Sequence, residues 1–111
     1  MTRLSFILSL VFAATWQEAE TIEVENRGPV DLKPFACQDI TRSSVISRVC
    51  YDGASRRMLV QRHAVYLQYC DLPTHTLDAF LNARSMGQYF SANIDAAGSG
   101  GPYACSANKS L

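Results

Sequence analysis

Residues 65 to 73 read Val-Tyr-Leu-Gln-Tyr-Cys-Asp-Leu-Pro, and the rest of the fold is predicted around this stretch. It is rich in β-branched and aromatic residues and Pro73 ends it, a pattern typical of a strand. Successive side chains of a strand point to opposite faces, so Val65, Leu67 and Tyr69 share one face of the predicted sheet. After Pro73 the hydrophobic period changes from two to about 3.6, which indicates that a helix follows the strand.

Two further strands are predicted before this one. Val45 to Tyr51 and Met58 to Gln61 are strand-like runs, and Asp52-Gly53 between them is a strong turn signal. Regular alternation in the first run places Ile46 on the same face as Arg48. Consecutive short strands with tight links predict a three-stranded antiparallel meander.

Two helices are predicted after the strands. Leu77, Phe80 and Leu81 have the i, i+3, i+4 spacing of an apolar stripe, which predicts a helix from Thr74 or His75 to about Ala83. Ser85-Met86-Gly87-Gln88 has the spacing of a capping box and should open a second short helix. The apolar side of this second helix is formed by Met86, Tyr89, Phe90 and Ile94. The predicted fold class is therefore α+β, a three-stranded antiparallel meander packed against two short C-terminal helices.

The N-terminus has the layout of a secretory signal peptide. Met1-Thr2-Arg3 is basic, and Leu4 to Ala14 is an uncharged run of about eleven residues, far short of the roughly twenty that span a bilayer. Cleavage after Ala13 places Val11 and Ala13 at the two positions that favour small side chains, and a later site such as after Ala19 stays open. We therefore expect a periplasmic or secreted protein with no membrane span after cleavage of residues 1–13.

Charge divides the remainder of the chain into three parts. Residues 14–41 form an acidic arm, since residues 14–39 hold six acidic side chains against two basic ones. Residues 42–95 form the domain, of which residues 42–94 hold six arginines against three aspartates, and residues 96–111 are a flexible, glycine-rich loop and a C-terminal tail. The whole chain has ten basic and ten acidic residues, so its net charge indicates no class of partner.

The four cysteines predict two disulfides. Cys37, Cys50, Cys70 and Cys105 are even in number in a chain with an export signal, and none has the Cys-x-x-Cys spacing of a zinc site, so we expect no metal. In a meander the first and third strands lie about 9–10 Å apart, which is too far for a Cys50–Cys70 bond. A chain reversal at Ser43-Ser44 favours Cys37–Cys50 with Cys70–Cys105, and the swapped pairing stays open. Either pairing tethers the N- and C-terminal extensions to the domain.

About half of the chain resembles the KTSC domain, a small bacterial module also found at the C-terminus of some lysyl-tRNA synthetases. Six stretches carry the resemblance. They are Ser43-Ser44-Val45-Ile46, Tyr51-Asp52, Leu59-Val60, Tyr69-Cys70-Asp71-Leu72-Pro73, Ala83-Arg84-Ser85-Met86-Gly87-Gln88-Tyr89-Phe90 and Asn93-Ile94. The family's Tyr-x-Tyr falls on Leu67-Gln68-Tyr69, so only its second tyrosine is present. The family has no established activity, and the resemblance implies a fold and not a function.

A basic, aromatic sheet face is the candidate binding surface, made by Arg48, Arg62, Tyr66 and Tyr69. It suggests a nucleic-acid-binding module as the alternative function. The modest excess of three positive charges in residues 42–94, the acidic arm and the predicted export all argue against RNA as the partner.

No pattern in the chain predicts an enzyme. Cys70 beside Asp71, with His63 and His75 near in sequence, supplies the residue types of a thiol nucleophile and its base. A cysteine in a disulfide is not a nucleophile, however, so we expect no catalytic residue and no cofactor. The favoured function is a structural or binding module of the cell envelope, whose partner is an envelope protein or a small ligand.

Overall fold

The structure, a computed structural model, describes residues 20–95 and 101–105. Within these residues six strands come first: β1 (Thr21–Val24), β2 (Gly28–Asp31), β3 (Ala36–Asp39), β4 (Ile46–Asp52), β5 (Arg57–Arg62) and β6 (Val65–Tyr69). Helices α1 (Thr74–Leu81) and α2 (Met86–Tyr89) follow, and a π-helical turn (Phe90–Ile94) continues α2. A short 3-10 turn (Gly101–Tyr103) lies near the C-terminal end.

All six strands belong to one mixed sheet with the order β2-β1-β6-β5-β4-β3. Neighbouring strands are antiparallel except β1 and β6, which run parallel and are joined at a single pair, Val24 with Tyr66. The amide of Glu25 donates to the carbonyl of Tyr66 at 2.9 Å and reinforces this junction. The β4–β5–β6 meander therefore forms the centre of the sheet, with additional strands on both sides.

The α+β class and the two short helices are confirmed, but the prediction of a three-stranded sheet was wrong. Residues 20–39, predicted to lie in an acidic arm outside the domain, form β1, β2 and β3. These strands have four residues each, and β1 and β2 each contain one fully buried side chain, Val24 and Val30. Their acidic residues occupy the exposed positions, so local sequence gives little sign of a buried face.

The sheet is strongly curled. Residues 32–35 connect β2 to β3, which lie at opposite edges. Five steps of extended chain reach at most about 18 Å, whereas the edges of a flat six-stranded sheet are about 24 Å apart. The curl encloses a cluster of buried residues on the inner face, Val24, Val30, Leu32, Phe35, Cys50 and Leu59.

The helices cover the opposite face, which we call the helix face. Its core contains ten buried residues, Ile46, Val49, Met58, Val60, Tyr69, Leu72, Phe80, Met86, Phe90 and Ile94. The aromatic rings meet directly, since Phe90 contacts Tyr69 edge-on at 5.6 Å between ring centroids and Phe80 at 6.0 Å. Ser85 accepts a hydrogen bond from the amide of Gln88 at 3.2 Å, as the capping-box pattern predicted.

A β-bulge corrects the predicted faces of β4. The pairing with β5 shifts between Ile46 and Arg48, so one extra residue interrupts the alternation. Ile46 consequently joins Val49 in the helix-face core and does not share a face with Arg48. The simple period-two alternation failed at this position because it assumes an unbroken ladder.

The link between β4 and β5 is longer than a two-residue turn. Residues 53–56 form it, and Arg56 adopts the left-handed backbone region with φ of 60°. The carboxylate of Asp52 accepts hydrogen bonds from the amide of Ala54 at 3.1 Å and the hydroxyl of Ser55 at 2.7 Å. These bonds lower the pKa of Asp52, with the Ser55 hydroxyl contributing most.

Both pairs of cysteines form disulfides, in the pairing that the chain reversal favoured. Cys37 on β3 lies directly opposite Cys50 on β4 and is bonded to it, with a Cα–Cα distance of 3.9 Å. Cys70, just after β6, is bonded to Cys105. The second bond holds residues 101–105 against the sheet, where the carbonyl of Tyr103 accepts a hydrogen bond from the amide of Cys70 at 2.8 Å.

Several predictions lie outside the described residues. These are the signal peptide at residues 1–13, residues 14–19 of the predicted arm, and residues 96–100 and 106–111 of the loop and tail. In residues 20–95 and 101–105 there is no helix of the length and apolarity that would cross a membrane.

Candidate binding surfaces

The four residues of the predicted binding surface do not share one surface. Arg48 and Tyr66 lie together on the inner face, where the Arg48 guanidinium donates to the Tyr66 hydroxyl at 3.2 Å. Arg62 and Tyr69 lie on the helix face, and both contact Phe90. Tyr66 and Tyr69 are three positions apart in β6, and Arg62 follows Gln61, the β5 partner of Arg48, so strand alternation places the two pairs on opposite faces.

Arg48 joins three strands and the residue that precedes β1. Its guanidinium contacts both carboxylate oxygens of Glu20, at 2.9 and 3.3 Å, and lies 3.6 Å from the carboxylate of Asp39. The hydrogen bond from Arg48 lowers the pKa of Glu20, and the bonds to Glu20 and Tyr66 raise the pKa of Arg48. Arg48 therefore links several strands of the curled sheet, and the carboxylates of Glu20 and Asp39 compensate its charge.

Arg62 and Tyr69 also have structural roles. Arg62 lies over the ring of Phe90, 5.5 Å from its centroid, and its guanidinium is 3.8 Å from the carboxylate of Asp95. Tyr69 is 3% exposed, and burial, followed by the nearby Asp95 carboxylate, raises the pKa of its hydroxyl. A side chain buried to this extent is not available to stack on a nucleobase.

Two more arginines of the domain are engaged elsewhere. The guanidinium of Arg42 donates to the carbonyls of Leu81, at 2.6 Å, and Ala83, at 2.9 Å, and so caps the C-terminal end of α1. Arg57 lies 5.1 Å from the ring centroid of Phe35. Four of the six arginines in residues 42–95 thus serve the fold, which leaves little free positive charge for phosphate binding.

A shallow groove separates the β1–β2 turn from the β5–β6 turn. Its volume is ≈ 660 Å³, and its lining includes Glu23, Glu25, Arg27, Ala64, Val65 and Tyr66. β1 and β6, the strands that these two turns adjoin, pair at one position only. Asn26 in the first turn and Gly28 at the start of β2 adopt positive φ, as do His63 and Ala64 in the second turn, and these conformations fix the sharp reversals that form the walls of the groove.

The groove has both polar and apolar character. Among the described residues no carboxylate lies within 4.0 Å of the Arg27 guanidinium, and its buried Nε has no hydrogen-bond partner. Val65 is 42% exposed, the largest exposure of any bulky apolar residue in the described chain. Sequence reasoning missed Arg27 and Glu23 because both lie in the segment predicted as an arm, and only the β1–β6 contact brings them beside Val65.

The residue types of a thiol enzyme are not assembled. Cys70 is bonded to Cys105 and therefore carries no thiol, and His63 and His75 are both exposed. Within residues 20–95 and 101–105 there is no cluster of three or more His, Cys, Asp or Glu side chains placed to hold a metal ion.

The motifs that carry the family resemblance have structural roles. Ser43 accepts hydrogen bonds from the amides of Val45 and Ile46, at 3.1 and 3.0 Å, and starts β4. The hydroxyl of Tyr51 donates to the carbonyl of Leu72 at 2.7 Å, which joins β4 to the entry of α1. These contacts specify the fold, and none of them forms a reaction centre.

Comparison with known proteins supports this fold over about half of the chain. The family model described as the KTSC domain matches residues 42–97. A crystal structure of a KTSC domain protein from Yersinia pestis is similar, with 28% sequence identity and a TM-score of 0.52, over 57% of this chain and 89% of that one. A search of curated proteins found no match. Since the family model covers half of the sequence and the structural likeness agrees with it, the chain belongs to the KTSC domain family.

Proposed function

We propose that this protein is an exported KTSC domain that serves as a binding module of the cell envelope. The observation that carries the proposal is that all four cysteines of the chain are bonded in two disulfides. Protein disulfides persist in oxidising compartments and are rare where thiols are kept reduced. The signal-peptide pattern of residues 1–13 supports the same compartment independently.

The geometry supports binding better than catalysis. The groove between the two turns combines Arg27, which has no carboxylate partner among residues 20–95 and 101–105, with two glutamates and the exposed side chain of Val65. Such a mixed surface suits a partner that has both charged and apolar groups. The groove is shallow and open on one side, so an extended segment of an envelope protein fits it better than a small molecule, which requires a deeper pocket.

Export is tested by fractionation of bacterial cells that produce the full chain or a chain without residues 1–13. The full chain should appear in the periplasm or medium and should be disulfide-bonded, whereas the truncated chain should stay in the cytoplasm with reduced thiols. If both chains stay in the cytoplasm, the proposal fails.

Binding is tested by site-specific photo-crosslinking in the producing cells. A photoreactive amino acid in place of Val65 should give a discrete adduct with an envelope protein. The same amino acid in place of Asp78, which is exposed on α1, is the matched control and should give none. Equal adducts from both positions, or none from Val65, would count against the groove as the binding site.

A further inference from the structure

Strand β3 is an edge strand whose outer side pairs with no other strand in the described part of the chain. It pairs with β4 from Ala36 opposite Tyr51 to Asp39 opposite Arg48. All four of its residues are exposed. An edge of this kind presents a row of backbone donors and acceptors to a further strand.

The register shows which backbone groups point outward. The amide of Ile40 donates to the carbonyl of Ser47 at 3.0 Å, so this pair is hydrogen-bonded across β3 and β4. Bonded and non-bonded pairs alternate in an antiparallel ladder, which makes Cys37 opposite Cys50 a non-bonded pair. Their Cα–Cα distance of 3.9 Å agrees, since non-bonded pairs are the closer ones. The amide and carbonyl groups of Cys37 and Asp39 therefore face away from β4.

The two edges of the sheet differ in their protection. The outer strand at the other edge, β2, contains Pro29, which has no amide hydrogen to donate. β3 contains no proline, lysine or bulge, and of the devices that block edge pairing it has only its short length of four residues and the charge of Asp39. The disulfide between Cys37 and Cys50 also fixes β3 beside β4, so the edge strand is already in an extended conformation.

We propose that a second copy of this chain docks antiparallel against β3, with Gln38 opposite Gln38 of the second copy. In this register Cys37 exchanges both backbone hydrogen bonds with Asp39 of the other copy, and the two-fold axis repeats the exchange, which gives four bonds. A shift of the register that places Asp39 opposite Asp39 would bring two exposed carboxylates together. Without residues 1–13 the chain loses Arg3 and has nine basic against ten acidic residues, a net charge of −1, so two copies repel each other only weakly at long range.

The interface is small and the association should be weak. A pair of four-residue strands lies below the roughly 1,200 Å² that stable interfaces bury, so we expect a dissociation constant on the order of 10–100 μM. Sedimentation velocity of the disulfide-bonded chain without its signal peptide should then show a monomer–dimer equilibrium across this range.

Charge variants at the two-fold axis test the register. Gln38→Lys and Gln38→Glu each place like charges opposite each other, so each variant alone should dimerise at least tenfold more weakly than the wild type. An equimolar mixture of the two should recover the dimer, which a misfolded variant would not do. Gln88→Lys, at an exposed glutamine in α2, is the matched control and should behave as the wild type.

A wild-type chain that remains monomeric up to about 1 mM would overturn the proposal. Dimerisation that Gln38→Lys leaves unchanged would also overturn it, because the contact would then lie elsewhere. None of these outcomes depends on the groove or on the envelope partner.

Discussion

Removal of the Cys70–Cys105 disulfide should destabilise the protein and release residues 101–105 from the sheet. The change is the double variant Cys70→Ala/Cys105→Ala, and the matched variant is Cys37→Ala/Cys50→Ala. Each variant removes one buried sulfur and one that is more exposed, so the two differ mainly in the length of the loop that the bond closes.

The size of the effect follows from the sequence separations. The bonds close loops of 35 and 13 residues, and the loss of loop-closure entropy from the unfolded chain gives about 4 and about 3 kcal/mol respectively. A domain of this size has a free energy of unfolding of about 5–15 kcal/mol, so both variants should remain folded but marginal. Urea unfolding of each variant and of the wild type measures the two losses.

Hydrogen exchange distinguishes the two bonds locally. In the wild type the amide of Cys70 donates to the carbonyl of Tyr103 and should be protected. Without the Cys70–Cys105 bond, position 70 and residues 101–105 should exchange rapidly, while the amide of Ile40, just after β3, stays protected because its hydrogen bond to the carbonyl of Ser47 remains. If residues 101–105 keep their protection in this variant, the bond is not what holds them, and the reasoning is refuted.

Three further substitutions test the local contacts. Arg42→Ala should lower the free energy of unfolding by about 1–2 kcal/mol, because it removes two charge-assisted hydrogen bonds to the end of α1. The control Arg84→Ala, at an exposed arginine, should change it by less than about 0.5 kcal/mol. Ser85→Ala should cost about 1 kcal/mol through loss of the helix cap, measured in the same urea titrations. Asp52→Ala should cost about 1–3 kcal/mol at pH 7, and exposed Asp78→Ala should be close to neutral. Folding lowers the pKa of Asp52, so its contribution to the free energy of unfolding is full above about pH 5 and is lost as the pH falls below about 4. If the stability of the Asp52→Ala variant falls as steeply below about pH 5 as that of the wild type, this assignment is contradicted.

The central part of the fold was accessible from sequence because its signals are local. The strand at Val65, the apolar stripe of α1 and the cap at Ser85 each depend on residues within a few positions of one another. The three N-terminal strands were missed because each has four residues and because β1 and β6 pair at one position only. Their place in the sheet depends on contacts between residues that are far apart in the sequence, and a local hydrophobic period does not indicate such contacts.

The candidate surfaces were harder to predict for the same reason. Arg48 was taken as a free charge, but its carboxylate partner Glu20 lies 28 residues earlier. Arg42 likewise binds carbonyls about 40 residues later. The predicted surface also joined Tyr66 with Tyr69, which lie three positions apart in β6, and strand alternation places side chains at that spacing on opposite faces.

The most direct test of the account is the intact mass of the protein recovered from its native compartment, with and without reduction and alkylation. The account predicts loss of an N-terminal segment that ends between residues 13 and 19, no alkylation before reduction, and alkylation of all four cysteines after it. A protein that retains Met1 and has alkylatable thiols before reduction would contradict both the export and the disulfides on which the proposed function depends.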